Sequence, residues 1–132
     1  MSDTSEMVSV RYMVDDVEKA VAFYTNFLDF KVLTSFAPAF ADVARGNLRL
    51  LLSGPTSSAG RPMPDGAKPG PGGWNRIHFI VDDIDAEVAR LRNAGARFRN
   101  DILSGPGGKQ ILLEDPSGNA LELFQPAAPR PT

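Results

Sequence analysis

The chain has 132 residues, a formal net charge of −2, one histidine (His78) and no cysteine, a length that carries one core and not two domains of typical size. Lack of cysteine excludes disulfides, thiolate nucleophiles, Fe–S clusters and cysteine-ligated zinc, and a single imidazole excludes any one-chain site that needs two. The slightly acidic balance, with pI near 5.3, gives no basic footprint for nucleic acid, and no apolar run approaches the ~20 residues that cross a bilayer.

The first residues, Ser2-Asp3-Thr4-Ser5-Glu6, are polar and acidic and form no signal region, so a cytoplasmic location is expected. Val8, Val10, Tyr12 and Val14 then alternate with Ser9, Arg11 and Met13, which predicts a strand with one apolar face and one chemically mixed face. Asp16 is a natural helix N-cap, and Val17, Val21, Tyr24 and Leu28 follow at helical spacing. Strands are expected at about 30–44 and 48–53, with a turn at Arg45-Gly46-Asn47. Residues 54–73 are dense in Gly, Pro and Ser and read as a tether, or as a lid with Trp74 at its base.

The pattern then repeats. Val14-Asp15-Asp16-Val17 is echoed by Val81-Asp82-Asp83-Ile84, and the same offset of 67 pairs Val10 with Ile77, Tyr12 with Phe79, Val21 with Val88 and Asn26 with Asn93. Ile77, Phe79 and Val81 alternate with Arg76, His78 and Ile80; Asp83 caps a helix carrying Ile84, Val88 and Leu91, and Gly95 stops it. Strands follow at about 97–103, 109–114 and 120–125, with a turn at Asp115-Pro116-Ser117-Gly118-Asn119. Gly105-Pro106-Gly107-Gly108-Lys109-Gln110 lacks the Ser or Thr of a phosphate loop and precedes a strand, so it reads as a hairpin or loop. The chain is therefore two related modules, about 7–53 and 74–126, with ends at 1–6 and 127–132 expected to fray.

Two strand-helix-strand-strand-strand modules, the Val-Asp-Asp helix starts, Ala22-Phe23-Tyr24, and Asp115-Pro116-Ser117-Gly118-Asn119 followed by Leu121-Glu122-Leu123 resemble the vicinal oxygen chelate superfamily. That group holds glyoxalase I, extradiol dioxygenases, fosfomycin-modifying enzymes and bleomycin-resistance proteins. The resemblance covers about 7–126 and implies a single α+β domain over 1–132, in which two βαβββ modules form a curved mixed-sheet cup. It also implies a homodimer with pockets at the subunit interface. Family enzymes place a metal ligand on the first and on the last strand of each module; the matching positions here are Ser9, Arg76, Leu51 and Glu122. Leucine cannot ligate, arginine repels a cation and serine is a weak ligand, so only Glu122 keeps a metal donor. His78, two residues beyond Arg76, would add one more, and two ligands fall short of a catalytic site. No cofactor is expected, and a divalent metal is doubtful.

By the same resemblance the cup holds Arg11, Met13, Arg76, His78, Glu122 and Phe124, a mostly apolar setting with a few convergent polar groups, as small-molecule sites have. Arg76 and Glu122 either contact a ligand or simply pair with each other. His78 is either a packed strand residue or the acid–base group of any chemistry, since histidine titrates nearest neutrality. Trp74 either plugs the core or stacks on a flat ligand, and Phe36 and Phe40, read as lying on one strand, carry the same two readings. The expected function is sequestration of an aromatic or amphipathic small molecule, such as an antibiotic, with no nucleic-acid or membrane partner. The alternative is a divalent-metal-dependent lyase, isomerase or dioxygenase.

Overall fold

The structure is a computed structural model that describes residues 6–128; of the expected frayed ends, residues 1–5 and 129–132 lie outside the described residues. The chain divides into two compact units, Met1–Gly72 and Gly73–Thr132.

The first unit contains β1 (Val8–Met13), α1 (Val17–Phe27), β2 (Lys31–Phe36), β3 (Phe40–Arg45) and β4 (Leu48–Ser53) in one sheet of order β1-β4-β3-β2. β1 runs parallel to β4, and the other pairs are antiparallel. α1 makes the crossover that a parallel pair requires. It starts where Asp16 accepts a hydrogen bond from the Lys19 amide at 3.1 Å, as the sequence predicts. Val17, Ala20, Phe23 and Tyr24 are its buried residues. They meet the buried alternate positions Ala41 and Val43 of β3 and Leu50 and Leu52 of β4, so strand period and helix period close one core. Tyr24 anchors it, lying edge-on to Phe23 and Phe30 with centroids 5.1 and 5.4 Å away.

The expected strand at 30–44 is two strands. Pro38 has no N–H for a ladder, and the chain turns at Ala37-Pro38-Ala39, where the Ala39 amide bonds to the Phe36 carbonyl at 3.0 Å. Phe36 and Phe40 therefore lie on different strands, directly paired across the hairpin. The segment after β4 is not a featureless tether at its start. The Ser57 hydroxyl donates to the Gly54 carbonyl at 2.7 Å and accepts from the Gly60 amide, around a short 3-10 turn at Ser58–Gly60. A side chain at Gly54 would meet the Pro38 carbonyl and Val17, so this stretch is packed on the β2–β3 turn and on α1.

The second unit contains β5 (Arg76–Ile80), α2 (Ile84–Asn93), β6 (Arg97–Phe98), β7 (Leu103–Gly105), β8 (Gly108–Glu114) and β9 (Ala120–Pro126). Its sheet runs β5-β9-β8-β6, with β7 also on β8, and β5 is parallel to β9. α2 is capped by Asp83 and buries Ile84, Val88 and Leu91; Gly95 follows at φ 94, the left-handed stop that only glycine adopts at no cost. The expected strand at 97–103 is also split. The Arg99 amide still bonds to the Leu112 carbonyl at 2.8 Å. The next rung is taken by the Asn100 side chain, whose Oδ1 accepts from the Leu112 amide at 2.9 Å, so the backbone leaves the ladder. β7 and β8 form the hairpin expected around Gly105-Pro106-Gly107-Gly108. No helix among the described residues is long and apolar enough to cross a membrane.

The turn between β8 and β9 is built on one side chain. Asp115 is fully buried and accepts hydrogen bonds from the Ser117 amide, the Asn119 amide and Asn119 Nδ2, at 2.9, 3.0 and 2.9 Å. Asp115→Ala removes the acceptor of all three bonds, and losing an acceptor from a buried network costs more than an average hydrogen bond gains. Urea unfolding is expected to show a loss of about 2–4 kcal/mol, well beyond that of a surface substitution.

Candidate functional site

In the second unit the alternation of β5 sends Ile77 and Phe79 toward the α2 side and leaves Arg76, His78 and Ile80 on the opposite, open face. The parallel register sets His78 directly opposite Glu122 and Ile80 opposite Phe124. Glu122 is the focus. It is only 6% exposed, and a buried carboxylate needs partners. Arg76 Nε donates to its Oε1 at 2.9 Å, and His78 Nε2 stands 3.5 Å from its Oε2. Arg76 also reaches back through Nη1 to the Trp74 carbonyl at 3.3 Å. The His78 ring lies over Phe124, with centroids 5.0 Å apart and planes tilted by 36°. Four of the expected site residues, Arg76, His78, Glu122 and Phe124, are thus in one contiguous cluster.

Trp74 adjoins that cluster and is not a core plug: it is 71% exposed. One face of its ring is covered by the Arg99 guanidinium, 4.8 Å from the ring. Arg99 is itself fixed by three hydrogen bonds, from Nε to Glu114 Oε2 at 2.8 Å, from Nη1 to the Gly73 carbonyl at 2.9 Å and from Nη2 to the Gly118 carbonyl at 3.0 Å. The fork holds the backbone on one side of Trp74 and the plane beneath its ring, and it leaves the other face of the indole open. Sequence reasoning did not single out Arg99. No sequence signal marks it, because the strand break beside it is made by Asn100 reaching the Leu112 amide.

In the first unit the corresponding open face carries Ser9, Arg11 and Met13 of β1, opposite Arg49, Leu51 and Ser53 of β4. Arg11 Nη1 donates to Ser53 Oγ at 2.9 Å. Met13, Ser53, Phe40 and Phe36 lie in one row across the sheet, each in register with the next. Phe36 is 68% exposed and Phe40 half-buried. The buried charge of this face escaped the sequence reading: Asp42, opposite Leu51, takes Arg49 Nε at 2.6 Å on Oδ2, while its buried Oδ1 has no hydrogen-bond partner. Its signal was an acidic residue inside an apolar strand, with an arginine seven positions on, across the next turn. Among the described residues no group of three or more His, Cys, Asp or Glu is placed to hold a metal ion.

Comparison with known proteins agrees with the fold. A family model described as Glyoxalase/Bleomycin resistance protein/Dioxygenase superfamily matches residues 6–123. A member of that superfamily from Sphaerobacter thermophilus DSM 20745 has a solved structure that is 30% identical, with a TM-score of 0.70 over 90% of this chain and 95% of that one. TnmS3, an antibiotic binding protein from Streptomyces sp. CB03234, is 27% identical, with a TM-score of 0.69 over 96% of this chain and 98% of its own. A lactoylglutathione lyase from Agrobacterium tumefaciens superposes with a TM-score of 0.72 over 92% of this chain and 93% of its own, at 21% identity, a likeness of fold alone. The CFP32 protein of Mycobacterium tuberculosis (strain CDC 1551 / Oshkosh) is 27% identical over 130 residues. The chain spans about half the length of the curated relatives it matches.

Trp74 is the only tryptophan, so intrinsic tryptophan emission reports this one ring. Lysine keeps the charge of Arg99 but not its planar fork. Arg99→Lys is therefore expected to release the indole and raise its quenching by acrylamide, with far-UV circular dichroism unchanged. Quenching equal to that of the parent protein would show that the fork does not hold Trp74.

Proposed function

The chain belongs to the Glyoxalase/Bleomycin resistance protein/Dioxygenase superfamily, and from that membership we propose that it binds an aromatic or amphipathic small molecule, of the kind represented by natural-product antibiotics, on the open face of its second sheet and without a metal ion. The observation that carries this reading is the pairing of Glu122 with Arg76 at 2.9 Å. Glu122 is the one position of the family's ligand pattern that keeps a metal donor. A permanent guanidinium on its Oε1 neutralises the carboxylate and opposes a dication in the same place. His78 brings the protein donors at that point to two, against the three or four that hold a catalytic divalent ion. The donor set does not fit such an ion.

What the face does offer is ring surface beside polar groups. Trp74 presents an open indole face, Phe124 and His78 lie ring over ring, and Ile80 continues the apolar surface. Flat ligands bind well to such surfaces, because an aromatic ring buries a large area and loses few rotamers. Arg76, a third exposed in its side chain, is placed to meet a carbonyl or anionic group at the ligand's edge. TnmS3, similar over nearly its whole length, is an antibiotic binding protein, and that supports the ligand class.

Dimerisation belongs to the same reading. β2 lies at the edge of its sheet and all six of its residues are exposed, among them Val32, Leu33 and Phe36, an unpaired and partly apolar edge of the sort proteins usually cover. Light scattering is expected to give a dimer mass, and Leu33→Lys a monomer.

The central test is elemental analysis of protein purified without chelator, followed by a thermal-shift screen of aromatic antibiotics. Metal well below one equivalent is expected, together with a ligand that raises Tm, because a molecule that binds only the native state stabilises it. The same ligand should quench Trp74 emission and lose most of its affinity in Trp74→Ala. Stoichiometric zinc, nickel, iron or manganese that disappears in Glu122→Ala would overturn the proposal in favour of a metal-dependent lyase, isomerase or dioxygenase.

A further inference from the structure

A cavity of about 270 Å³ opens at the carboxyl end of β1, entirely within the first unit. Met13, Val14 and Asp15 line it from the strand and the turn into α1. The Gly/Pro-rich segment supplies Lys68 and four prolines, Pro55, Pro62, Pro69 and Pro71. The second unit has a cavity of about 320 Å³ at the matching place, lined by Ile80, Val81 and Asp82, the residues 67 positions on, together with the end of β9. The strand-to-helix turn of this fold thus builds the hollow twice. What differs is the lining: the second cavity has no lysine or arginine and one proline.

The lining of the first cavity has a definite chemistry. Proline side chains lose no rotamer freedom on contact, so a proline wall meets an apolar ligand already ordered. Met13 adds a polarisable thioether of the kind that favours aromatic edges. Lys68 is the one cation on the wall, and its ammonium has no ion-pair or hydrogen-bond partner among the described residues. We propose that this cavity is a second binding site, for a small organic anion with a flat apolar body, a single-ring aromatic carboxylate. Its carboxylate accepts hydrogen bonds from Lys68 Nζ and its ring lies against the prolines. The volume of about 270 Å³ suits one ring. Asp15 lies on the same wall and opposes an anion, which gives the site a testable sign: removing Lys68 must weaken binding and removing the Asp15 charge must strengthen it.

Benzoate is the probe, titrated into the full chain and followed by amide chemical shifts at pH 7. Saturable shifts are expected at Val14, Gly60 and Gly70. Lys68→Gln should weaken binding about tenfold, the scale of one charge-assisted hydrogen bond, and Asp15→Asn should tighten it about twofold. Gly70 has open space beside it and an ordinary φ, so Gly70→Val should fold normally and block the site. Benzyl alcohol, of the same shape without the charge, should bind no better than benzoate does to Lys68→Gln. The proposal is overturned by the absence of saturable shifts in these residues, by equal affinity in Lys68→Gln, or by weaker benzoate binding in Asp15→Asn, which would show that the Asp15 charge does not oppose the bound anion. Because every lining residue lies in the first unit, none of these outcomes bears on the face that carries Trp74 and Glu122.

Discussion

The parallel pairing of the first and last strand of each module decides which side chains meet. β5 cannot lie parallel to β9 unless the chain crosses over between β5 and the rest of the module, and α2 makes that crossing on one face of the sheet. The helix takes the apolar set, Ile77, Phe79, Leu121 and Leu123, and period two assigns the remaining residues to the other face. Register then does the rest: His78 stands opposite Glu122 and Ile80 opposite Phe124. A slip of one residue would reverse both faces and drive Arg76 and Glu122 into the core. The composition of the open face is thus a consequence of how the core is closed.

Both units solve the same electrostatic problem on that face with different residues. Each carries one carboxylate buried within a strand, Asp42 in β3 and Glu122 in β9, and each neutralises it with an arginine Nε from the neighbouring strand, at 2.6 and 2.9 Å. The arginines stay a third or more exposed in their side chains, so their own desolvation is modest and the net stabilisation is small. Loss of either arginine is a different matter, since it would leave a buried charge uncompensated. The repeat has therefore kept a charge pair in each sheet while moving it. At the β1 and β4 positions that match His78 and Glu122, the first unit has Arg11 and Leu51. The two modules thus share backbone and helix caps, while the chemistry of their open faces differs.

The parts of this fold that are dictated locally were readable in the sequence. Asp16 and Asp83 cap helices because a short carboxylate reaches its own first turn, and Gly95 ends α2 because no other residue holds φ 94 easily. The alternation of β1 and β5 was equally plain. What escaped were features made by residues far apart in the chain. The split of 97–103 depends on Asn100 reaching the Leu112 amide, and no pattern within the strand announces that. Arg99 gathers Gly73, Glu114 and Gly118, three partners from three segments. Asp42 and Arg49 looked like isolated charges until the β3–β4 register paired them with their neighbours. The pairing of Arg76 with Glu122, by contrast, was one of the two readings open from sequence, because the family resemblance placed both residues in one cup, at positions of its ligand pattern.

Trp74 is the residue for which folding gives the least reason. A ring that is 71% exposed gains little of the burial that makes tryptophan valuable in a core, and a cation–π contact near the surface contributes only about 0.5–1 kcal/mol. Single exposed apolar residues need no explanation, but this one is not merely left outside. It sits on an arginine that is 17% exposed in its side chain and committed through all three of its nitrogens, one of them to the carbonyl of the residue just before the tryptophan. Such a scaffold fixes the ring's position while leaving one face uncovered. Ordering a large side chain costs entropy, and a ligand on the open face would add to the contacts that offset it. A preordered aromatic surface binds more tightly than a mobile one because less is lost on contact. On the proposed reading the Arg99 fork supports the binding surface, and the Arg76 guanidinium on Glu122 neutralises the carboxylate of the neighbouring cluster.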